Sequence, residues 1–371
     1  MIPSGKSAPL RFKAFIACLA TISLVACRAS RGPSYRLPDS YGADQVPRVI
    51  AAADDDLTQA NDPGLAFARL QVAQETAGTK GEAGQALERA RSGAAELLLQ
   101  KLIDQDAPPG HFLRLIEAGL QRNLAVRSRI AQARSCLNRG ERLKSYRLIK
   151  ALDREFPFHA ERASSGDVLA DAGLDLAQDR GRYALLFRYQ KLAPEILEYL
   201  TTQYPTHQAG PQAYAELARL YVEAGELELA IQRHEDLVVY FGDSPKVPTS
   251  RARIPALRLD LIGRSDFDRR PIELARQELE SWLETYAGEA REEEDGVRQN
   301  LLLSIRRLSG HDSIVADFYH TVGNDPGAEL HARRALALAR EGGSEKQIEA
   351  AQKTLDQWIE STDATNSKDS Q

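Results

Sequence analysis

The sequence predicts an all-α fold built from paired antiparallel helices, and three observations carry that prediction. The chain is rich in Ala, Leu, Glu, Arg and Gln and has no stretch of alternating β-branched and polar residues, so strands are not expected. Apolar residues recur instead at helical spacing, as in Ala83, Leu87, Ala90, Ala94, Leu97 and Leu98. Helical segments also close repeatedly on an aromatic followed by Pro, Gly or a small residue, at Phe156-Pro157, Tyr204-Pro205, Phe241-Gly242 and Tyr286-Ala287-Gly288. These aromatics lie 48, 37 and 45 residues apart, a loose version, with insertions, of a helix-turn-helix period of about 34.

The first element is an export signal. Lys6, Arg11 and Lys13 precede an apolar stretch from about Ala14 to Ala26 that is too short to span a bilayer as a helix. It ends in Leu24-Val25-Ala26-Cys27, which resembles the lipobox of bacterial lipoproteins. That resemblance implies cleavage after residue 26, a diacylglycerol on the Cys27 thiol and usually an acyl chain, such as palmitate, on its amino group. Two or three chains anchor stably where one does not. Arg28 follows, where many lipoproteins retained in the inner membrane carry aspartate, so outer-membrane delivery is expected.

Loss of residues 1–26 removes three basic residues and no acidic one, leaving 45 Lys plus Arg against 53 Asp plus Glu. A net charge of −8 argues against nucleic acid as a partner. Cys18 leaves with the signal and Cys27 is modified, so Cys136 is the one remaining thiol. No intramolecular disulfide is available, and Cys136 reads as a small buried hydrophobe.

Residues 27–56 read as a lipid-anchored linker, because Gly32, Pro33, Pro38, Gly42 and Pro47 interrupt any periodicity. Residues 57–125 read as a helical extension, with pattern at Pro63 to Gln74 and from Gly81 to Ile103, ended by Pro108-Pro109-Gly110. The repeats occupy residues 126–360. Their clearest unit runs from Pro211 to Gly242: Tyr214, Leu217, Ala218 and Tyr221 on one helix, Gly225 at the turn, and Leu227, Ala230, His234, Leu237, Val238 and Phe241 on the next. Small Ala218 and Ala230 allow close approach while the large residues fill the gaps between repeats. This pattern resembles the tetratricopeptide repeat, which implies a helical-hairpin solenoid with a groove for an extended peptide or another domain.

Further along, Pro271 opens a helix whose Ile272, Ala275, Leu279, Trp282, Leu283 and Tyr286 share a face. Asp325-Pro326 opens another, closed near Gly342. Ser344 and Gln347 form a capping box for a last helix through Ile348, Ala351, Leu355, Trp358 and Ile359. Residues 361–371 are polar and read as a disordered tail.

Catalytic and metal-binding patterns are missing. The seven histidines are scattered, and there is no His-Glu-x-x-His, paired-cysteine zinc pattern or Gly-rich phosphate loop. Asp54-Asp55-Asp56 and Glu292-Glu293-Glu294-Asp295 read as solvated acidic runs, and His234 as a packed core histidine. The Arg-rich stretch with Arg251, Arg253, Arg258, Arg264, Arg269 and Arg270 is interleaved with Asp260, Asp266 and Asp268. It reads as a salt-bridged surface or a contact patch for acidic groups. No enzyme activity, cofactor or metal is expected.

Three segments carry a more specific resemblance. Ala151 to Phe158 (ALDREFPF) with Tyr204-Pro205-Thr206-His207, then Asp266 to Arg270 before the helix with Ala275, and then Arg307 to Tyr319 (RLSGHDSIVADFY) are similar to parts of the BamD-type outer-membrane β-barrel assembly lipoproteins. The last looks like that family's helix start, where an Arg-Leu pair precedes an acidic residue and Val-Ala-x-Phe-Tyr. The resemblance implies a periplasm-facing scaffold on the outer membrane. Its partners would be unfolded outer-membrane proteins and the periplasmic domains of the barrel assembly protein, with Arg307 at the docking position. Asp312, the acidic residue of that segment, is the alternative ion-pair partner of Arg307, and Arg219 on the clearest repeat is a further candidate contact.

The residues before Val126, the long interval from Phe156 to Tyr204 and the extra clean repeat depart from that family. A competing expectation is a general envelope lipoprotein with the same repeats that coordinates cell-wall synthesis or division. A lytic enzyme on a helical solenoid would need a separate catalytic lobe, and no segment is left over to form one.

Overall fold

A computed structural model describes residues 32–178, 192–262 and 268–368. The export signal, Cys27, Arg264 and Asp266 lie outside the described residues, as does part of the interval from Phe156 to Tyr204. Two compact units divide at Ile196 and Leu197. Among the described residues every regular element is helical, and no helix is long and apolar enough to cross a membrane.

The first unit holds α1 (Val46–Thr58), α2 (Pro63–Thr76), α3 (Gly81–Asp104), the short α4 (Leu113–Glu117), α5 (Arg122–Asn138), α6 (Arg142–Glu155) and α7 (Arg162–Gln178). The unit boundary falls inside α8 (Leu192–Gln203). Asp62 caps α2 by accepting from the Gly64 and Leu65 amides at 3.1 and 3.2 Å, and Pro63 takes the first-turn position where a missing N–H costs nothing.

Helix α1 corrects the linker assignment of residues 27–56. Pro47 sits in its first turn, where proline is tolerated, and Val46, Val49 and Ala53 are buried in one cluster with Phe67, Leu70, Leu99, Phe112, Leu115 and Leu124. Burial of each large side chain contributes about 1.5–3 kcal/mol, so this region is a packed bundle. The boundary drawn at residue 126 falls within α5. Leu97 is also misplaced by the periodicity: it is exposed, and the buried face of α3 runs through Leu87, Ala94, Ala95, Leu98, Leu99 and Leu102.

The second unit continues with α9 (Gly210–Ala224), α10 (Leu227–Tyr240), α11 (Val247–Ile262), α12 (Arg269–Tyr286), α13 (Arg291–Thr321), α14 (Asp325–Gly342) and α15 (Glu345–Lys368). Successive helices pack as neighbours, and α13 also contacts α11 and α15. The α9–α10 pair matches the repeat unit read from the sequence. Gly225 ends α9 with φ +77°, the left-handed cap that glycine adopts without a Cβ clash. Ala213, Leu217, Ala218 and Ala230 are fully buried, so the two helices approach over small residues. Phe241 folds back over Gly210, where a Cβ would lie 2.2 Å from its ring, and Tyr214 meets the same ring at 6.2 Å between centroids.

The anticipated ends hold: α6 stops before Phe156, α8 before Tyr204, α10 before Phe241, and α12 at Tyr286. Ser344 and Gln347 form the capping box, with the Ser344 amide donating to Gln347 Oε1 at 3.0 Å. Two further expectations fail. Helix α15 runs on to Lys368, so residues 361–368 are not a disordered tail. Arg307 to Tyr319 is not a helix start but the interior of α13, a continuous helix of 31 residues.

Candidate functional site

Helix α13 has two unlike faces. Ile305, Leu308, Ser309, Asp312 and Ala316 point inward and are buried. Rotation by 100° per residue puts Arg307, His311, Ile314, Phe318 and Val322 on the other side. Along it Ile314, Phe318 and Val322, spaced four apart, are 46%, 60% and 57% exposed. Three large apolar side chains in a row on solvent form an exposed apolar stripe, which a lone exposed hydrophobe would not.

The stripe is held from beneath by an aromatic and ionic stack. Phe318 meets the edge of Tyr319 at 5.8 Å, and Tyr319 stacks on the His331 ring at 5.4 Å. His331 Nδ1 lies 2.8 Å from Asp312 Oδ1, and Arg269 Nη1 donates to the other carboxylate oxygen. Arg269 also donates to Glu273 at 2.7 Å. Burial opposes its charge, but the bonds to Glu273 and Asp312 outweigh that and hold its pKa above the usual arginine value.

The three partner-binding candidates fare differently. Asp312 has no exposed surface, so it is a buried positioning group and not a surface contact. Arg307 is half-buried and does not pair with Asp312; its Nη1 donates to the carbonyl of Leu259 in the last turn of α11. The last carbonyls of a helix lack internal partners, and a cation there also meets the negative end of the dipole. Arg219 sits on α9 within an ion cluster with Glu216 and Glu223, the latter at 2.5 Å. Helix α9 packs on α10, whereas α13 packs on α11, α12, α14 and α15.

Among the described residues two clefts with apolar linings supply concave surface. In the second unit, α10, α11 and α12 enclose about 380 Å³ lined by Val238, Ile254, Leu274 and Trp282. Its rim is the ion chain Glu235–Arg258–Glu278, and Trp282 is fixed by donating Nε1–H to the Pro248 carbonyl at 2.8 Å. In the first unit a cleft of about 340 Å³ lies between α3, α5 and α7, floored by Leu102, Ile103, Phe112 and Ile130, with Arg127, Arg134 and Asp106 around it. Each volume suits one or two side chains of a guest. Neither was legible in the sequence, because each is assembled from side chains on three different helices whose packing the spacing does not state.

Among the described residues no cluster of His, Cys, Asp or Glu has the geometry to hold a metal ion. His234 is buried with Nδ1 3.1 Å from Ser250 Oγ; burial, then Arg253, lowers its pKa to about 4. Burial lifts the Cys136 thiol to about 11. Both are buried, packed groups, as the sequence predicts. Within the Arg-rich stretch, Arg258 and Arg269 are ion-paired and Asp268 caps α12 through the Arg270 amide at 3.1 Å.

No protein-family model and no curated protein matches the chain. Among solved structures, the chain is similar at 17% identity to a Podosopora anserina protein described as a kinesin light chain with nearly identical TPR-like repeats. That match covers 61% of this chain and 100% of the other, with a TM-score of 0.28. The C-terminal part of a TPR repeat-containing protein from Cytophaga hutchinsonii matches at 14% identity over 83% of this chain and 97% of its own, with a TM-score of 0.31. A circular tandem repeat protein matches at 15% identity over 85% and 76%, with a TM-score of 0.20.

Proposed function

We propose that this chain is a lipid-anchored, periplasm-facing scaffold of the outer-membrane β-barrel assembly machinery, held to the membrane through Cys27. Its work is non-covalent. The repeats present apolar clefts with ionic rims, suited to side chains of an extended, unfolded outer-membrane protein. The outward face of α13 presents a separate surface suited to a folded partner, the periplasmic domains of the barrel assembly protein.

The observation that carries this reading is the exposed stripe Ile314, Phe318 and Val322 running on from Arg307. It lies largely inside the segment whose pattern resembles the BamD-type lipoproteins, and it is backed by the buried Arg269–Asp312–His331 network. An exposed apolar row supported by a rigid base is the form of a protein-docking surface.

Photocrosslinking in the native envelope tests it. A photoreactive residue at Phe318 or Arg307 should capture the barrel assembly protein, and one at Arg219 should report whether nascent clients reach α9. Phe318→Asp should abolish the crosslink from Arg307 while shifting stability by no more than about 0.5 kcal/mol, as for an exposed site. Capture of cell-wall or division proteins alone would overturn the assembly role and leave a repeat scaffold with other partners.

A further inference from the structure

The segment ahead of α1 is strapped to the first unit. Gly32 lies against the His111 ring, and the Pro33 carbonyl accepts from Arg114 Nη2 at 2.7 Å. The same guanidinium covers the Tyr35 ring at 5.4 Å, and the Tyr35 hydroxyl donates to Asp62 at 3.2 Å. Further on, the Tyr41 amide donates to Thr76 Oγ1 at 2.9 Å, and the Tyr41 side chain packs on the apolar cluster under α1 and α2. Proline and glycine in this stretch shape a docked arm and do not free a tether.

That docking shortens the anchor. Gly32 is five residues on from Cys27, a reach of at most about 18 Å. Were the chain free up to Val46, 19 residues on from Cys27, a flexible tether would average about 25 Å and extend to more than about 60 Å. Charge points the same way. Along this stretch basic charge is confined to the part nearest the lipid: Arg28, Arg31 and Arg36 precede the first acidic residues, Asp39 and Asp44, which come further along the arm, and Arg36 is exposed.

We propose that the docked arm Gly32–Gln45 holds the first helical unit, by its His111 and Arg114 side, against the surface of the membrane that carries the Cys27 lipid, with Arg36 meeting anionic headgroups. This rests on the lipid-anchor reading above. The first unit is then held within about 18 Å of the lipidated residue and does not swing on a leash.

The test uses the full lipidated chain in vesicles of phosphatidylethanolamine and phosphatidylglycerol that carry a headgroup quencher acting at near-contact range. A fluorophore goes on Glu117→Cys, one turn from Arg114 and exposed; Cys136 is buried and Cys27 blocked, so labelling is specific. Strong quenching is expected. A Gly-Ser insertion of about ten residues after Arg28 should cut it at least threefold without touching the fold, as should Arg114→Ala through release of the arm. Arg36→Glu should weaken it in these vesicles and not in phosphatidylethanolamine alone.

Quenching that is absent, or unchanged by the insertion, overturns the proposal while the mass of a lipidated Cys27 peptide keeps the anchor. A Cys27 peptide without lipid overturns the anchor reading itself. Hydrogen exchange at the Tyr41 amide, slow in the docked arm and fast in Arg114→Ala, reports the docking independently of either.

Discussion

Arg269 and Asp312 are joined across 43 residues of sequence, and the carboxylate they share with His331 has no solvent-exposed surface. A buried carboxylate held by one cation and one imidazole is costly to leave half-paired. It fixes the start of α12 to the middle of α13 and, through His331 and Tyr319, the base of the exposed stripe.

Arg269→Ala should therefore destabilise the second unit by about 2–3 kcal/mol, somewhat below the full value for a buried pair because Arg269 is partly exposed. Urea unfolding followed by circular dichroism measures it. Asp312→Asn, which keeps the shape and one acceptor, should cost less, and an equal cost for both would mean the charge is irrelevant.

His234 gives the fold a pH dependence. Its folded pKa, about 4, lies below the ordinary histidine value of 6.5, so the unfolded chain binds the extra proton. The contribution of neutral His234 is complete above pH 6.5 and declines as pH falls toward 4. Between pH 7 and pH 5 this amounts to about 2 kcal/mol. Unfolding free energies at the two pH values should differ by that much more in the wild type than in His234→Gln.

The Cys136 thiol should resist alkylation at pH 8 in the folded protein, since it is buried and its pKa is raised to about 11. Thiolate is the reactive form. Labelling by iodoacetamide should appear only as urea exposes the first unit, with a midpoint matching the loss of helicity there. Rapid labelling in native buffer would contradict the packing of α5.

Two glycines should respond to substitution for different reasons. Gly225→Ala meets no neighbour within 4 Å but must hold φ +77°, a strain of about 1 kcal/mol; Gly225→Asn should recover most of it. Gly210→Ala drives a methyl into Phe241 and should cost about 1–3 kcal/mol, with asparagine no better. Thermal unfolding of the four variants separates the mechanisms.

Local signals were legible in the sequence. The aromatic stops at Phe156, Tyr204, Phe241 and Tyr286, the Gly225 turn and the Ser344 capping box each act over a few residues, so spacing alone reveals them. What was missed depends on distant partners or on context. Pro47 reads as a linker proline until Val46, Val49 and Ala53 find an apolar cluster to join. Arg307 to Tyr319 reads by resemblance as a helix start, yet α13 has already run from Arg291. Asp312 looks like any acidic surface residue, because the groups that bury it are 43 and 19 residues away. The stripe from Ile314 to Val322 was masked for a related reason: periodicity marks apolar positions without saying which face finds a neighbour.

Helix α13, about 46 Å long at 1.5 Å per residue, joins the cluster of Ala252, Leu279 and Trp282 through Val297 and Leu308, and further along that of Ala328, Leu336 and Leu355 through Ala316. A string of separate repeats can fray from its end, losing one hairpin while the rest stays folded. Here a single rod is a member of two neighbouring hairpins. Unzipping α14 and α15 strips one flank of a helix that α11 and α12 still need, so the end of the array melts together or not at all.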